Sequence, residues 1–277
     1  LAMPPVETTP DRDEVMTTLA EGKKVAPAPG VLMDALVGEF NSARNLTTGI
    51  VTIEPGAILP YHTHPAAESI TVLEGEVEVA TEGRAYLLGP LDNITVPRWL
   101  PHQARNPHST KAAKLHVALA MSVPERTLVD RAFEVKPMPI DATGYDGYER
   151  VTRFARAERL YGVGPRAEFI DYFNAALIPG IEMSGGFARF GPGGRLPDHL
   201  HDFDESICII SGEANCLVEG RKYTLSDRAT AMIPRGRVHY FINESDSTME
   251  MIWVYAGPMP ERIVVAPGFT RDLIAKR

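Results

Sequence analysis

Cysteine is scarce in this chain: Cys208 and Cys216 are the only two in 277 residues. Two cannot build a disulfide framework, so a reducing compartment is expected. Long apolar runs are missing as well, and nothing approaches the ~18 consecutive apolar residues of a membrane-spanning helix. Basic charge is in deficit, with 28 Lys and Arg against 36 Asp and Glu and a formal charge of −8. Such a surface repels phosphate backbones and anionic lipid, which argues against nucleic acid or membrane partners. Residues 1–30 are polar and rich in proline, without the charged-then-apolar pattern of a secretory leader, and a cytoplasmic location is expected. A phosphate-cradling glycine loop, a nucleophile elbow, a basic aromatic patch and a long helical period are all lacking.

What is present in quantity is turn chemistry: 23 glycines and 23 prolines separate many short β-branched runs. That pattern belongs to an all-β chain, and the length gives a prior of about two domains. A shift of 137 residues aligns the two halves without a gap over the informative stretch. Gly49, Pro55, Gly56, Leu59 and Pro60 fall on Gly186, Pro192, Gly193, Leu196 and Pro197. Glu82-Gly83-Arg84 and Tyr86 fall on Glu219-Gly220-Arg221 and Tyr223, and Pro97, Arg98 and Asn106 fall on Pro234, Arg235 and Asn243. Pro124-Glu125-Arg126 recurs as Pro260-Glu261-Arg262, one residue out of step. The chain is therefore a duplicated domain. Residues 1–30 are expected to form an N-terminal arm, 31–122 the first domain, 123–166 a bridge, and 167–277 the second domain with a C-terminal tail.

Within each half the runs read as strands. Ser69 to Ala80 is two β-rich runs hinged at Glu74-Gly75, the signal of a hairpin, and the equivalent run hinges at Gly212-Glu213. Glu82-Gly83 and Glu219-Gly220 read as hairpin tips. Thr9-Pro10-Asp11, followed by Val15, Leu19 and Gly22, predicts one short N-terminal helix with a cap at each end.

Six of the eight histidines sit at repeated positions with two glutamates: His62, His64, Glu68 and His102, then His199, His201, Glu205 and His239. Residues two apart in a strand share a face, so His62 and His64 project together. Glu68 keeps that parity, and His102 closes the set from a later strand. Imidazole and carboxylate suit a divalent transition metal such as Mn, Fe, Co, Ni or Zn, up to one ion per half. Four ligands on an octahedral ion leave two positions for substrate, O₂ or water, the mark of a catalytic site. Glu68 and Glu205 are also candidate general bases.

These are the residues that carry a family resemblance. Gly56 to Gly75 (GAILPYHTHPAAESITVLEG) is similar to the first cupin motif. Pro97 to Asn106 (PRWLPHQARN) is similar to the second, with Trp99 where glycine is usual. Gly193 to Gly212 and Pro234 to Asn243 (PRGRVHYFIN) match both more closely. Leu91 and Arg228 stand where the second motif normally opens with glycine. The chain thus resembles a bicupin over roughly residues 31 to 260. The resemblance implies two tandem jelly-roll (double-stranded β-helix) barrels, each with a metal at its centre. Bicupins include dioxygenases, oxalate decarboxylases, a ureidoglycine aminohydrolase, isomerases and metal-poor storage proteins, and oxalate-decarboxylating members are typically longer than this chain.

Strand parity places Ile70, Val72, Ala104 and Asn106 toward the first site. It places Ile207, Ile209, Phe241, Asn243, Met251, Trp253 and Tyr255 toward the second. The 137-residue shift sets His116 opposite Trp253. Asn106, His116, Phe241, Asn243, Trp253 and Tyr255 are accordingly the candidate substrate contacts, with a small polar first pocket and an aromatic second one. Core packing of the aromatics and a hydrogen-bonded His116 are the competing readings. Arg98 and Arg235 are candidates to orient a carboxylate or to form repeated surface ion pairs. The Asp198, Asp202 and Asp204 cluster is expected to face solvent, and Cys208 has the wrong parity for a ligand. The leading functional expectation is a metal-dependent, dioxygenase-like oxidoreductase acting on a small oxygenated or aromatic molecule. A non-redox isomerase, hydrolase or lyase on a sugar acid or keto acid is the alternative. A small-molecule binding protein without turnover is the third. A homodimer pairing through exposed strand edges is expected.

Overall fold

The structure, a computed structural model, describes residues 2–274 except 131, 163 and 165. Four antiparallel-rich sheets form two β-barrels, each made of two facing sheets. In the first barrel one sheet runs, in spatial order, Arg150–Thr152, Asn93–Val96, Glu68–Glu74, Ala113–Leu119, Thr47–Ile53, Val31–Val37 and Lys23–Ala28. Its partner sheet carries Ile58–Thr63, His102–Arg105, Val77–Thr81 and Arg84–Leu88, flanked by two short strands. The second barrel repeats this plan, with Glu205–Ser211, Met249–Tyr255 and Ser184–Phe190 at the centre of its larger sheet. Ile70, Val72, Val79, Tyr86, Ile94, Ala104 and Leu115 fill the first interior. Ile207, Ile209, Phe241, Met251, Trp253 and Tyr255 fill the second. No helix is long and apolar enough to cross a membrane.

Two local expectations are corrected. Gly75 (φ 74°) and Gly212 (φ 71°) do turn the chain in the left-handed region that favours glycine. They do not close hairpins, because Glu68–Glu74 and Val77–Thr81 lie in opposite sheets, as do Glu205–Ser211 and Glu213–Val218. The turn there is a crossing between sheets, and the true hairpin is Val77–Thr81 with Arg84–Leu88, tipped by Glu82-Gly83. The expected N-terminal helix is also replaced. Val15–Thr17 is a strand, flanked by 3₁₀ turns at Val6–Thr8 and Leu19–Glu21. A helix this short is marginal on its own, whereas Val15–Thr17 covers an otherwise open edge by pairing with Thr230–Ile233.

That pairing is half of a reciprocal exchange. Val15–Thr17 precedes the first barrel in sequence but completes the second, while Arg150–Thr152 precedes the second and completes the first by pairing with Asn93–Val96. Each exchanged strand is pinned by the glutamate before it. Glu149 accepts bonds from Arg84 at Nε and Nη2 (2.7 and 2.9 Å) and from the Tyr86 hydroxyl at 2.6 Å. Glu14 accepts from Arg221 and from the Tyr223 hydroxyl (2.7 and 2.8 Å). The repeated Arg-x-Tyr pairs of the sequence are therefore the receptors for these two carboxylates.

The outer faces of the two larger sheets pack on each other. Val37, Leu46 and Ala118 of one meet Ile170, Tyr172, Phe187 and Ile252 of the other. Thr48 and Ser206 hydroxyls meet at 2.7 Å across the junction. Cys208 lies here, packed with Leu36 and Ile50, consistent with its parity. His116 lies on this outer face too, pairing with Ile50 and Thr71, with its Nε2 buried and unpartnered. Burial, with a smaller contribution from Arg228, pushes its pKa from 6.5 down to about 3. The folded state therefore holds it neutral while the unfolded chain takes up a proton, so its contribution is complete above pH 6.5 and is lost as pH falls toward 3. Between pH 7.5 and 5 this amounts to about 2 kcal/mol of stability. Urea unfolding of His116→Leu should show a pH dependence shallower by that amount than the parent; identical slopes would contradict the assignment.

Candidate metal centres

Each quartet is assembled from both sheets of its barrel. His62 and His102 are direct neighbours on paired strands, as are His199 and His239. Glu68 and Glu205 open the central strands of the facing sheets. All eight side chains are buried, and the ligand atoms of each quartet lie within 4.8 Å of one another.

Backbone carbonyls fix every imidazole. Nδ1 of His62, His64 and His102 meets the carbonyls of Pro60, Glu125 and Leu100 at 2.7, 2.6 and 2.8 Å. Nδ1 of His199, His201 and His239 meets those of Pro197, Glu261 and Arg237 at 2.7, 2.6 and 2.9 Å. A carbonyl only accepts, so Nδ1 carries the proton and Nε2 turns a lone pair inward. Nε2 of His102 lies 2.6 Å and that of His64 3.1 Å from Glu68 Oε2, and His239 Nε2 is 2.6 Å from Glu205 Oε2. In the second quartet the three Nε2 atoms and Glu205 Oε2 are buried with no hydrogen-bond partner, as is His62 Nε2 in the first. Lone pairs converging at this range call for a shared cation, and the residues fit a divalent ion held by three imidazoles and one carboxylate.

The local field agrees. Burial opposes the charged form of Glu68, but His64, His102 and His62 overcome it and hold the carboxyl well below its usual range. His239 and His201 do the same for Glu205. Burial pushes His62 and His199 down, whereas Glu68 and Glu205 more than offset burial at His64 and His239 and raise them.

The surroundings differ from those read in the sequence. The first quartet opens on a cavity of about 480 Å³ that reaches His62, His64 and Glu68. Its walls are mostly apolar, including Met33, Phe40, Val51, Val117, Leu119 and Val123, with Lys23, Glu39 and Arg126 at the charged positions. The second centre is flanked by aromatics. The Tyr255 ring lies 4.4 Å from that of His201, Phe203 stacks on His201 at 5.2 Å and meets Tyr255 at 5.5 Å, and Trp253 packs on Tyr255 at 5.0 Å. Room for that indole comes from Gly186, where a Cβ would sit 2.7 Å from Trp253 Cζ2. Trp253, Tyr255 and Phe241 are thus core of the second barrel.

His116 is not at the first site. Glu68 pairs with Leu119 and Glu205 with Tyr255, and Ile70 pairs with Val117 as Ile207 does with Trp253. On these strands the halves correspond at 136 residues, because the loop after Asn106 is one residue longer than that after Asn243. A one-residue slip exchanges the faces of a strand, so the counterparts of Trp253 and Tyr255 are Val117 and Leu119, and His116 turns outward.

Asn106 and Asn243 are buried and brace the loops that follow them. Asn106 Nδ2 donates to the carbonyls of Ile53 and Lys111 while its Oδ1 accepts from the His108 amide. Asn243 does the same with Phe190, Ser247 and Ser245. Arg98 pairs with Glu182 and Arg235 with Asp202, so neither faces a pocket freely. Within the acidic cluster Asp204 is buried, receiving Arg12 and the amides of Arg44 and Arg235, and so joins the N-terminal arm to the second centre. Trp99, Leu91 and Arg228, standing where glycine is usual, keep the glycine-like turn with φ of 65°, 66° and 70°. Sequence reasoning missed Lys23 and Arg126; the out-of-step repeat of Arg126 and Arg262 was the available signal.

Solved structures with this architecture include the oxalate decarboxylase of Lactobacillus farciminis in complex with formate, at TM-score 0.73 and 15% identity, covering 95% of this chain and 91% of that one. The Bacillus subtilis oxalate decarboxylase at pH 4.6 aligns at TM-score 0.71 and 16% identity, covering 94% and 81%. A point mutant of the B. subtilis protein gives 0.72 and 15%, with the same coverage of 94% and 81%. No curated protein matches by sequence. The profile described as the cupin domain matches residues 49–119 and 186–255, just over half of the chain and one stretch in each barrel. The chain belongs to the cupin family, as a bicupin with a metal-ligand quartet in each barrel.

Proposed function

We propose that this bicupin is a metal-dependent enzyme, a dioxygenase-like oxidoreductase that converts a small oxygenated organic molecule in its first barrel. The observation that carries the reading is the mostly apolar cavity of about 480 Å³ ending on His62, His64 and Glu68. Its size and lining suit an organic body of several carbons. His62, His64, Glu68 and His102 would hold iron or manganese, and the ion would serve as Lewis acid or electron conduit to an oxygenated group of the substrate. The chain's own part is to orient and exclude. Val51, Val117 and Leu119 hold the carbon body and keep water out, while Glu68, reachable from the cavity, is placed to accept a proton. The Glu205 side chain is 3% exposed against 7% for Glu68, and the Tyr255 and Phe203 rings pack on its neighbour His201.

The likeness to oxalate decarboxylases, one of them described with Mn(II) centres, favours a second reading as a non-redox lyase. Against oxalate itself stands the lining: a small dianion makes poor use of a wide apolar wall. Oxygen consumption by the iron- or manganese-loaded protein over a panel of aromatic and aliphatic oxygenated compounds separates the readings. Uptake stoichiometric with product supports the oxygenase. Product without uptake supports the lyase, and binding without product overturns both.

A further inference from the structure

The two barrel mouths, compared residue by residue, differ in their charged side chains. Ala35 pairs with Gly49 and Asp171 with Gly186, so Asp171 stands in the second barrel where Ala35 stands in the first. Val25 pairs with Met33 as Leu160 does with Phe169, and two residues before each lie Lys23 and Glu158. Arg126 corresponds to Arg262 through the repeated Pro-Glu-Arg. At the second mouth Arg262 lies 5.9 Å over the Phe169 ring, and its charge acts on Asp171 beside Glu158. Glu158 and Asp171 also line a groove there with Asp141, Arg150, Arg153 and Arg156.

At the first mouth the cations face the metal-site cavity. Lys23 and Arg126 line the cavity, with Glu39 as the one carboxylate there besides the metal-site Glu68. Arg126 gives a single hydrogen bond, from Nη2 to the Pro27 carbonyl at 2.6 Å, and has no carboxylate partner among the described residues. It follows Glu125, whose carbonyl holds His64, so its place beside the metal centre is fixed by the backbone.

We infer that the first pocket selects an apolar organic acid whose carboxylate is held at the mouth by Arg126 and Lys23. This rests on the first-barrel reading above and names its substrate class. Guanidinium to carboxylate is the strong, directional pairing such a site would use. Beside apolar walls the contact gains from reduced screening, while the remaining carbons occupy the space between Met33, Val51 and Val117.

The test is calorimetric binding to the metal-loaded chain, without turnover, of a series of aliphatic and aromatic monocarboxylic acids, each beside its primary amide. The expected result is that at least one acid binds about tenfold or more tightly than its amide. Arg126→Gln should abolish that preference and Lys23→Glu should weaken it, with metal content and amide affinity unchanged. Arg262→Gln should keep it. Acids binding no better than amides, no acid binding at all, or a preference that survives Arg126→Gln would each overturn the inference. Because binding is read directly, a confirmed preference with no turnover on any substrate would count against the enzyme reading alone.

Discussion

His62→Ala is expected to bring the chain down by one metal ion and its turnover by about 10³-fold, the several kcal/mol that a Lewis-acidic ion supplies to a reacting oxygen. His199→Ala should also lose one ion, while turnover falls less than tenfold. The asymmetry follows from what surrounds two nearly identical quartets. His62 lines a cavity, whereas in the second barrel Tyr255 and Phe203 pack on His201 and Trp253 packs on Tyr255. Equal losses of turnover in both variants, with folding intact by circular dichroism, would contradict this division of labour.

Glu149→Ala should cost about 3 kcal/mol of unfolding free energy, because it strips a buried carboxylate from a guanidinium and a phenol at once. Glu149 is buried, Arg84 grips it with two nitrogens, and the Tyr86 hydroxyl donates to it at 2.6 Å. The loss should fall on the first barrel, since Glu149 secures the exchanged strand Arg150–Thr152 at the edge of that barrel's larger sheet. Urea unfolding at neutral pH reads the change directly. A change below about 0.5 kcal/mol, the scale of an ordinary surface substitution, would mean that the exchanged strand is held by its backbone pairing alone.

The quartets were legible because a duplicated sequence prints its constraints twice. His-x-His puts two rings on one strand face in each half, and each Nδ1 finds a carbonyl at the repeated Pro60 and Pro197 or the repeated Glu125 and Glu261. The same redundancy misled where the repeat slips. One additional residue in the loop after Asn106 carried His116 from the interior to the junction, although ungapped alignment set it against Trp253. Repetition also does not separate function from bracing, and Asn106 and Asn243 recur because both hold the same loop. Glycine at 75 and 212 announces a turn, but not which sheet receives the next strand. The mouth residues escaped because Lys23 and Arg126 come from segments outside the two motifs and meet only when the strand Lys23–Ala28 folds over the first barrel.

Access to the two centres is the point on which this account stands. With cobalt in both quartets, azide titrated into the protein reports each reachable ion through its visible absorption. The structure predicts that azide perturbs half of the cobalt spectrum, and that this half disappears in His62→Ala and persists in His199→Ala. Azide reaching both ions, or only the one retained in His62→Ala, would contradict the assignment of an open first centre and a closed second one.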